Sequence, residues 1–74
     1  MKIMQEVTLK KEFIELFILL KLEGLAASGG EAKFFVDQGQ VLVNGTVEKR
    51  KRKKLLAGDI VEFAGTKIIV KAAQ

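Results

Sequence analysis

Six consecutive cations, Lys49-Arg50-Lys51-Arg52-Lys53-Lys54, are the side chains of this sequence best suited to chemistry, and that chemistry is the binding of a polyanion. Like charges in a row repel one another, and Glu48 is their only near neighbour of opposite sign in the sequence. Two or three lysines would be enough to protect a loop or an edge strand from aggregation. The whole chain carries a net charge of +4, yet outside the run seven basic residues face nine acidic ones, a net of −2. A mildly acidic body with one concentrated positive site produces the local field that attracts phosphate. Lysine serves there as a point charge and arginine as a two-pronged donor. No aromatic residue interleaves the run, so the expected ligand is a structured backbone and not an unpaired strand stacked base by base.

Catalysis is not expected. The chain has no His, Cys or Tyr, so the usual nucleophile–base pairs cannot be assembled. The acids Glu6, Glu12, Glu15, Glu23, Glu31, Asp37, Glu48, Asp59 and Glu62 are scattered. Without Cys or His there is neither a disulfide nor a usual zinc site, and no metal, cofactor or small-molecule substrate is expected.

A second group of candidates surrounds Ser28. Gly29 and Gly30 fall in a first helical turn, where each costs up to ~1 kcal/mol relative to alanine. Close approach of backbone N–H groups to an anion would account for them, and so would tight packing of that turn on a neighbouring helix. Spacing leaves both readings open, and the charge of Glu31 opposes an anion directly at the helix tip. Lys33, one turn further on, presents a cation on that flank, and Lys21 in the preceding helix is included with it.

These side chains must be positioned by a chain of 74 residues, enough for one domain (residues 1–74) with a small core. Residues 2–14 alternate imperfectly and suggest an edge strand or an extended arm, with Lys10, Lys11 and Glu12 in a turn. The leucine-rich stretch Leu16 to Glu23 reads as a helix closed by Gly24. Ser28 and Glu31 have the Ser-x-x-Glu spacing of a capping box. Ala32, Phe35 and Val36 then share one face of a second helix, which Gly39 ends. The second half is β: Asn44-Gly45 is a strong hairpin signal between Val41-Leu42-Val43 and Thr46-Val47-Glu48. The hairpin pairs Leu42 with Val47 and Val43 with Thr46, without saying which face is core. After the basic run and a Gly58-Asp59 turn come strands Ile60–Phe63 and Lys67–Lys71, joined by Ala64-Gly65-Thr66. The class is α+β: two packed helices followed by a small, mostly antiparallel sheet.

The stretch from Leu16 to Asp59, 44 of the 74 residues, resembles the S-four RNA-binding domain, named for a small-subunit ribosomal protein. The resemblance rests on Leu19-Leu20-Lys21-Leu22-Glu23-Gly24, Ser28, Ala32, Val36, Gly39-Gln40-Val41-Leu42-Val43-Asn44-Gly45 and Gly58-Asp59-Ile60-Val61, in the family's order. Ser28 to Lys33, taken with Arg50 to Lys54, is similar to the small stand-alone bacterial YbcJ/YaaA-like branch. The resemblance implies the alpha-L RNA-binding motif, in which two helices and the following β-loop form one recognition surface. Structured RNA, ribosomal or transfer RNA, is then the expected partner, with an association with the ribosome and no cofactor. On that surface Lys49, Arg50, Lys51, Arg52, Lys53 and Lys54 are expected to contact phosphates and Lys33 to flank the helix. Gly29 and Gly30 would allow close approach beside the cap Ser28, Asn44 and Gly45 would shape the loop, and Lys21 is included with them. Many members carry Arg directly after the Ser, where this chain has Gly29, and the basic loop is expected to take over that contact.

Two rivals remain at this point. A membrane-surface module would need Trp or Phe beside the charges, and the sequence offers Leu55-Leu56. An interaction module would use Phe17 and Ile18, expected to form an exposed apolar patch and a homodimer contact. No apolar stretch approaches the ~20 residues of a membrane span, and Met1 to Glu6 lacks the pattern of a signal peptide. A cytoplasmic location is expected.

Overall fold

Helix α1, Leu16–Leu22, begins without a side-chain cap, because Glu15 precedes it in extended conformation. Its first N–H groups are satisfied from a distance. Leu16 donates to the carbonyl of Lys53 at 2.9 Å and Phe17 to that of Lys51 at 3.1 Å, so the basic run is itself the cap of α1. The helix stops at the predicted glycine: Gly24 has φ +75°, and the following Leu25 N–H returns to the carbonyl of Leu20. The computed structural model describes residues 3–73; Met1, Lys2 and Gln74, counted in the terminal segments above, lie outside the described residues.

Helix α2, Gly29–Asp37, starts at Ser28, whose Oγ accepts from the Glu31 N–H at 3.1 Å. The Glu31 carboxylate reaches back one residue further than a simple capping box and accepts from Ala27 N–H at 2.9 Å. Ala32 and Val36 are fully buried as the spacing predicted. Phe35 is half-buried, its ring 4.8 Å from that of Phe63.

The remaining elements are β1 (Ile3–Thr8), β2 (Ile14–Glu15), β3 (Leu42–Val43), β4 (Thr46–Val47), β5 (Lys54–Leu55), β6 (Ile60–Phe63) and β7 (Thr66–Lys71). Five of them form a sheet in the order β1-β7-β6-β3-β4. All of its pairings are antiparallel except β1 with β7, which runs parallel from Ile3↔Thr66 to Thr8↔Lys71. The ambiguous N-terminal segment thus supplies an edge strand, and alternation turns Val7 inward; Leu9, just beyond the strand, is buried too. The hairpin has the predicted register, Leu42↔Val47 and Val43↔Thr46, and its core face is the one carrying Val43.

A feature the sequence did not disclose is a second, two-stranded sheet. β2 pairs antiparallel with β5, Ile14 opposite Leu55 and Glu15 opposite Lys54. The end of the basic run is therefore strand, tied to the residues that lead into α1. Leu55 points the other way and is fully buried with Leu16, Leu19, Leu20, Val61 and Ile68. The core is one cluster between the helices and one face of the sheet. No helix among the described residues is long and apolar enough to cross a membrane.

Both tight turns have two residues at positive φ, Asn44 (52°) with Gly45 (83°) and Ala64 (51°) with Gly65 (81°). Alanine gains nothing there to offset crowding of its Cβ, which costs roughly 1–2 kcal/mol. Replacing Ala64 by Asn is expected to raise the unfolding free energy by about 0.5–1 kcal/mol, read as a higher urea midpoint at unchanged slope.

Candidate nucleic-acid interface

The site begins with a buried phenylalanine. Phe17, on the first turn of α1, is only 8% exposed, and two cations from different elements sit on its ring. The Lys33 Nζ lies 4.6 Å from the ring centroid and the Arg52 Cζ lies 5.0 Å from it. Both distances fall within cation–π range. A third cation, Lys54, has its Nζ 4.8 Å from the centroid of Phe13. The expectation of an exposed apolar patch at Phe17 and Ile18 is corrected here. Phe17 belongs to the core beneath a cationic cover, and the half-buried Ile18 packs against that core. The homodimer contact expected there has no exposed Phe17 face to form on. The larger exposed apolar side chains are instead Met4, Leu22, Phe34, Val47 and Leu56.

The glycine pair divides. A Cβ added to Gly29 would stand 3.6 Å from Cε2 of Phe17, so this turn packs on α1 at ordinary van der Waals distance. Gly30 faces open space apart from Ser28 Oγ at 3.9 Å. Both are ordinary contacts that a Cβ could make, so packing requires glycine at neither position.

The basic run lies along α2 and carries partners brought in from elsewhere in the chain. Arg50 holds Glu48 with both prongs, Nε to Oε2 at 2.9 Å and Nη2 to Oε1 at 3.1 Å, and its backbone N–H donates to Oε2 at 3.0 Å. These hydrogen bonds hold the Glu48 carboxyl below its ordinary pKa, against the opposing effect of its burial. Lys51 lies 3.7 Å from the Asp37 carboxylate, and Arg52 3.2 Å from that of Glu15. Lys49, Lys53, Lys54 and Lys33 form no ion pair among the described residues. The sequence offered Glu48 alone as a neutralising neighbour; folding adds Asp37 and Glu15. Asp37 was not legible as a partner of Lys51, because its i,i+4 spacing points to Lys33 instead.

The predicted residues are not all brought together. Lys33, Gly29 and Lys49 to Lys54 meet around α1 and α2, with the Lys49 Cε 3.5 Å from a Cβ placed on Gly39. Lys21 is exposed one helical turn beyond Phe17. Ser28 fixes the start of α2. Asn44 and Gly45 stand at the other end of the hairpin from Glu48, and the Asn44 side chain is committed to the fold. It donates to Asp59 Oδ1 at 3.1 Å and accepts from the Ile60 N–H at 2.9 Å. Sequence reasoning missed Phe17 and Phe13 as seats for cations, because neither interleaves the run that it supports.

Comparison with known proteins places this geometry. The family model for the S4 domain matches residues 7–71. The chain is 51% identical to YbcJ of Escherichia coli (strain K12) over 63 residues, covering 85% of this chain and 90% of that protein. It is 41% identical over 59 residues to RlbA of Bacillus subtilis (strain 168), named a probable ribosome maturation protein, covering 80% and 83%. The solution structure of YbcJ from E. coli, described as revealing an alpha-L motif involved in RNA binding, superposes with a TM-score of 0.72. That match has 48% identity and covers 97% of this chain and 92% of the other.

Proposed function

The chain belongs to the S4 domain family, and from that footing we propose that it is a non-catalytic protein that binds structured RNA through shape and backbone charge. The observation that carries the reading is the convergence of Lys33 and Arg52 on the ring of Phe17. Two cations that would otherwise repel are held together by a rigid, buried seat, one from a helix and one from a loop. A phosphate between or beside them meets donors already in place, so little side-chain entropy remains to be lost on binding. Lys49, Lys53 and Lys54 extend the positive surface along the loop. The ribosome-maturation name of the Bacillus subtilis relative makes ribosomal RNA, in the cytoplasm, the ligand of first choice. The mechanism expected is recognition of helical shape across phosphates, with little reading of base edges.

Titration of affinity for a structured RNA against salt tests this reading. Four cations without ion pairs, Lys33, Lys49, Lys53 and Lys54, give an expected slope of log K against log salt of about −3 to −4. The paired cations add less, because each already has a carboxylate as counter-charge. Replacing Asp37 by Asn frees Lys51, and the expected result is tighter binding with a slope steeper by up to about one. A slope near zero, or equal affinity for anionic vesicles, would overturn the reading.

A further inference from the structure

Beside the basic run lies a groove that adjoins the RNA-binding surface described above at Phe13 and Glu15. It has a volume of about 510 Å³ and is lined by the end of β1 (Val7, Thr8, Leu9), by Lys10, Lys11 and Phe13, by Ile14 and Glu15 of β2, and by Leu22. This is the size of a cleft for a small ligand, roughly 300–1,000 Å³. Its inner part is apolar, since Val7 and Leu9 are buried and Phe13 and Ile14 half-buried. Leu22, on the last turn of α1, stays 65% exposed.

We propose that this groove takes an unpaired nucleotide of the bound RNA, stacked on Phe13 with its phosphates held by Lys10, Lys11 and Lys54. The proposal rests on the RNA-binding reading and extends it from backbone recognition to one extruded base.

Charge selects this occupant over an apolar segment of a protein. Lys10 and Lys11 are exposed and form no ion pair among the described residues, and the Lys54 ammonium stands over the ring of Phe13. The carboxylate in the lining, Glu15, is engaged by Arg52 at 3.2 Å, and Glu12 is exposed beside the two lysines. The groove is continuous with the basic run, because Glu15 pairs across the small sheet with Lys54. A strand leaving a helical RNA on the run therefore reaches Phe13 past Glu15, whose carboxylate Arg52 already engages. An aromatic face and a cationic flank are what single-strand sites combine.

The experiment compares an RNA hairpin with a blunt stem with the same hairpin carrying an unpaired uridine run at either end of the stem. Affinities are read by fluorescence anisotropy at one salt concentration. The expected result is binding about tenfold tighter with an extension than without, the lower end of what one stacked base contributes. Phe13→Leu keeps an apolar side chain at that position but removes the stacking face. Because Phe13 also seats Lys54, the variant's own affinity for the blunt hairpin is the reference, and the ratio of extended to blunt binding falls to about one. Leu22→Gln, at an exposed position in the lining, reduces the gain without affecting the fold, and Lys10→Gln with Lys11→Gln does the same. Equal binding of both hairpins by the unmodified protein overturns the proposal and leaves the RNA-binding reading standing. Binding of neither removes that reading as well. A concentration-dependent dimer that Leu22→Gln disperses, with no effect of the extension, assigns the groove to a second protein chain and also overturns the proposal.

Discussion

Replacing Lys49, Arg50, Lys51, Arg52, Lys53 and Lys54 together by glutamine lowers affinity for structured RNA several hundredfold at about 0.1 M salt. The figure follows from counterion release. Each phosphate contact on a duplex contributes about 0.9 to the slope of log K on log salt, hence nearly a factor of ten between 1 M and 0.1 M. Three cations of the run, Lys49, Lys53 and Lys54, are without ion pairs among the described residues and account for roughly 500-fold on that scale. Arg50, Lys51 and Arg52 add less, because Glu48, Asp37 and Glu15 are already beside them. The salt slope should fall by about three in the same variant, leaving a small residue from Lys33.

The substitution should leave the fold intact. What the run gives the structure is backbone: the carbonyls of Lys51 and Lys53 cap α1, and the backbone of Lys54 pairs with β2. Glutamine keeps all of these bonds. The lost ion pairs are largely exposed and worth about 0–1 kcal/mol each, and removing six like charges offsets part of that. Circular dichroism and a urea midpoint near that of the unmodified protein are the expected controls. An unfolded variant would show that the side chains are structural and would remove the basis of the prediction.

Local signals were readable where one short segment decides the outcome. Ser28 with Glu31, Gly24, Gly39 and the Asn44-Gly45 turn each specify backbone geometry over a few residues, and each stands where its residues predict. The pairing of β2 with β5 was not readable, because Ile14-Glu15 has neither length nor alternation and is held only by residues forty positions away. The site shows the same division. The cations were plain as a run, but their partners Glu15, Asp37, Phe13 and Phe17 arrive through tertiary contacts. Phe17-Ile18 looked surplus to a helix face because the sequence does not show that Arg52 and Lys33 close over it. Asn44 was expected to shape the loop, and what the sequence does not show is that its side chain is tied to Asp59, fifteen positions on.

Phe17 is where stability and binding meet, and its two substitutions should separate them. Truncation to alanine removes a buried ring and leaves a cavity between α1 and the first turn of α2, at a cost of about 3–5 kcal/mol. A chain of this length has roughly 4–11 kcal/mol of stability in all, so Phe17→Ala should be largely unfolded well below the melting temperature of the unmodified protein. Phe17→Leu keeps most of the volume and should cost only about 1–1.5 kcal/mol, which leaves a folded protein for binding measurements. What leucine lacks is the π-face. Without it Lys33 and Arg52 each lose about 0.5–1 kcal/mol of attraction to the ring, and nothing then opposes their mutual repulsion. The expected result is a three- to tenfold loss of RNA affinity, corresponding to about 0.7–1.4 kcal/mol. The salt slope distinguishes this from the effect of the glutamine variant. No charge has been removed, so the number of phosphates neutralised stays the same and the slope should not change. Weaker binding at an unchanged slope means that the ring organises the cations. A slope reduced by about one means that a cation has left the interface, and unchanged affinity means that Phe17 serves the core alone.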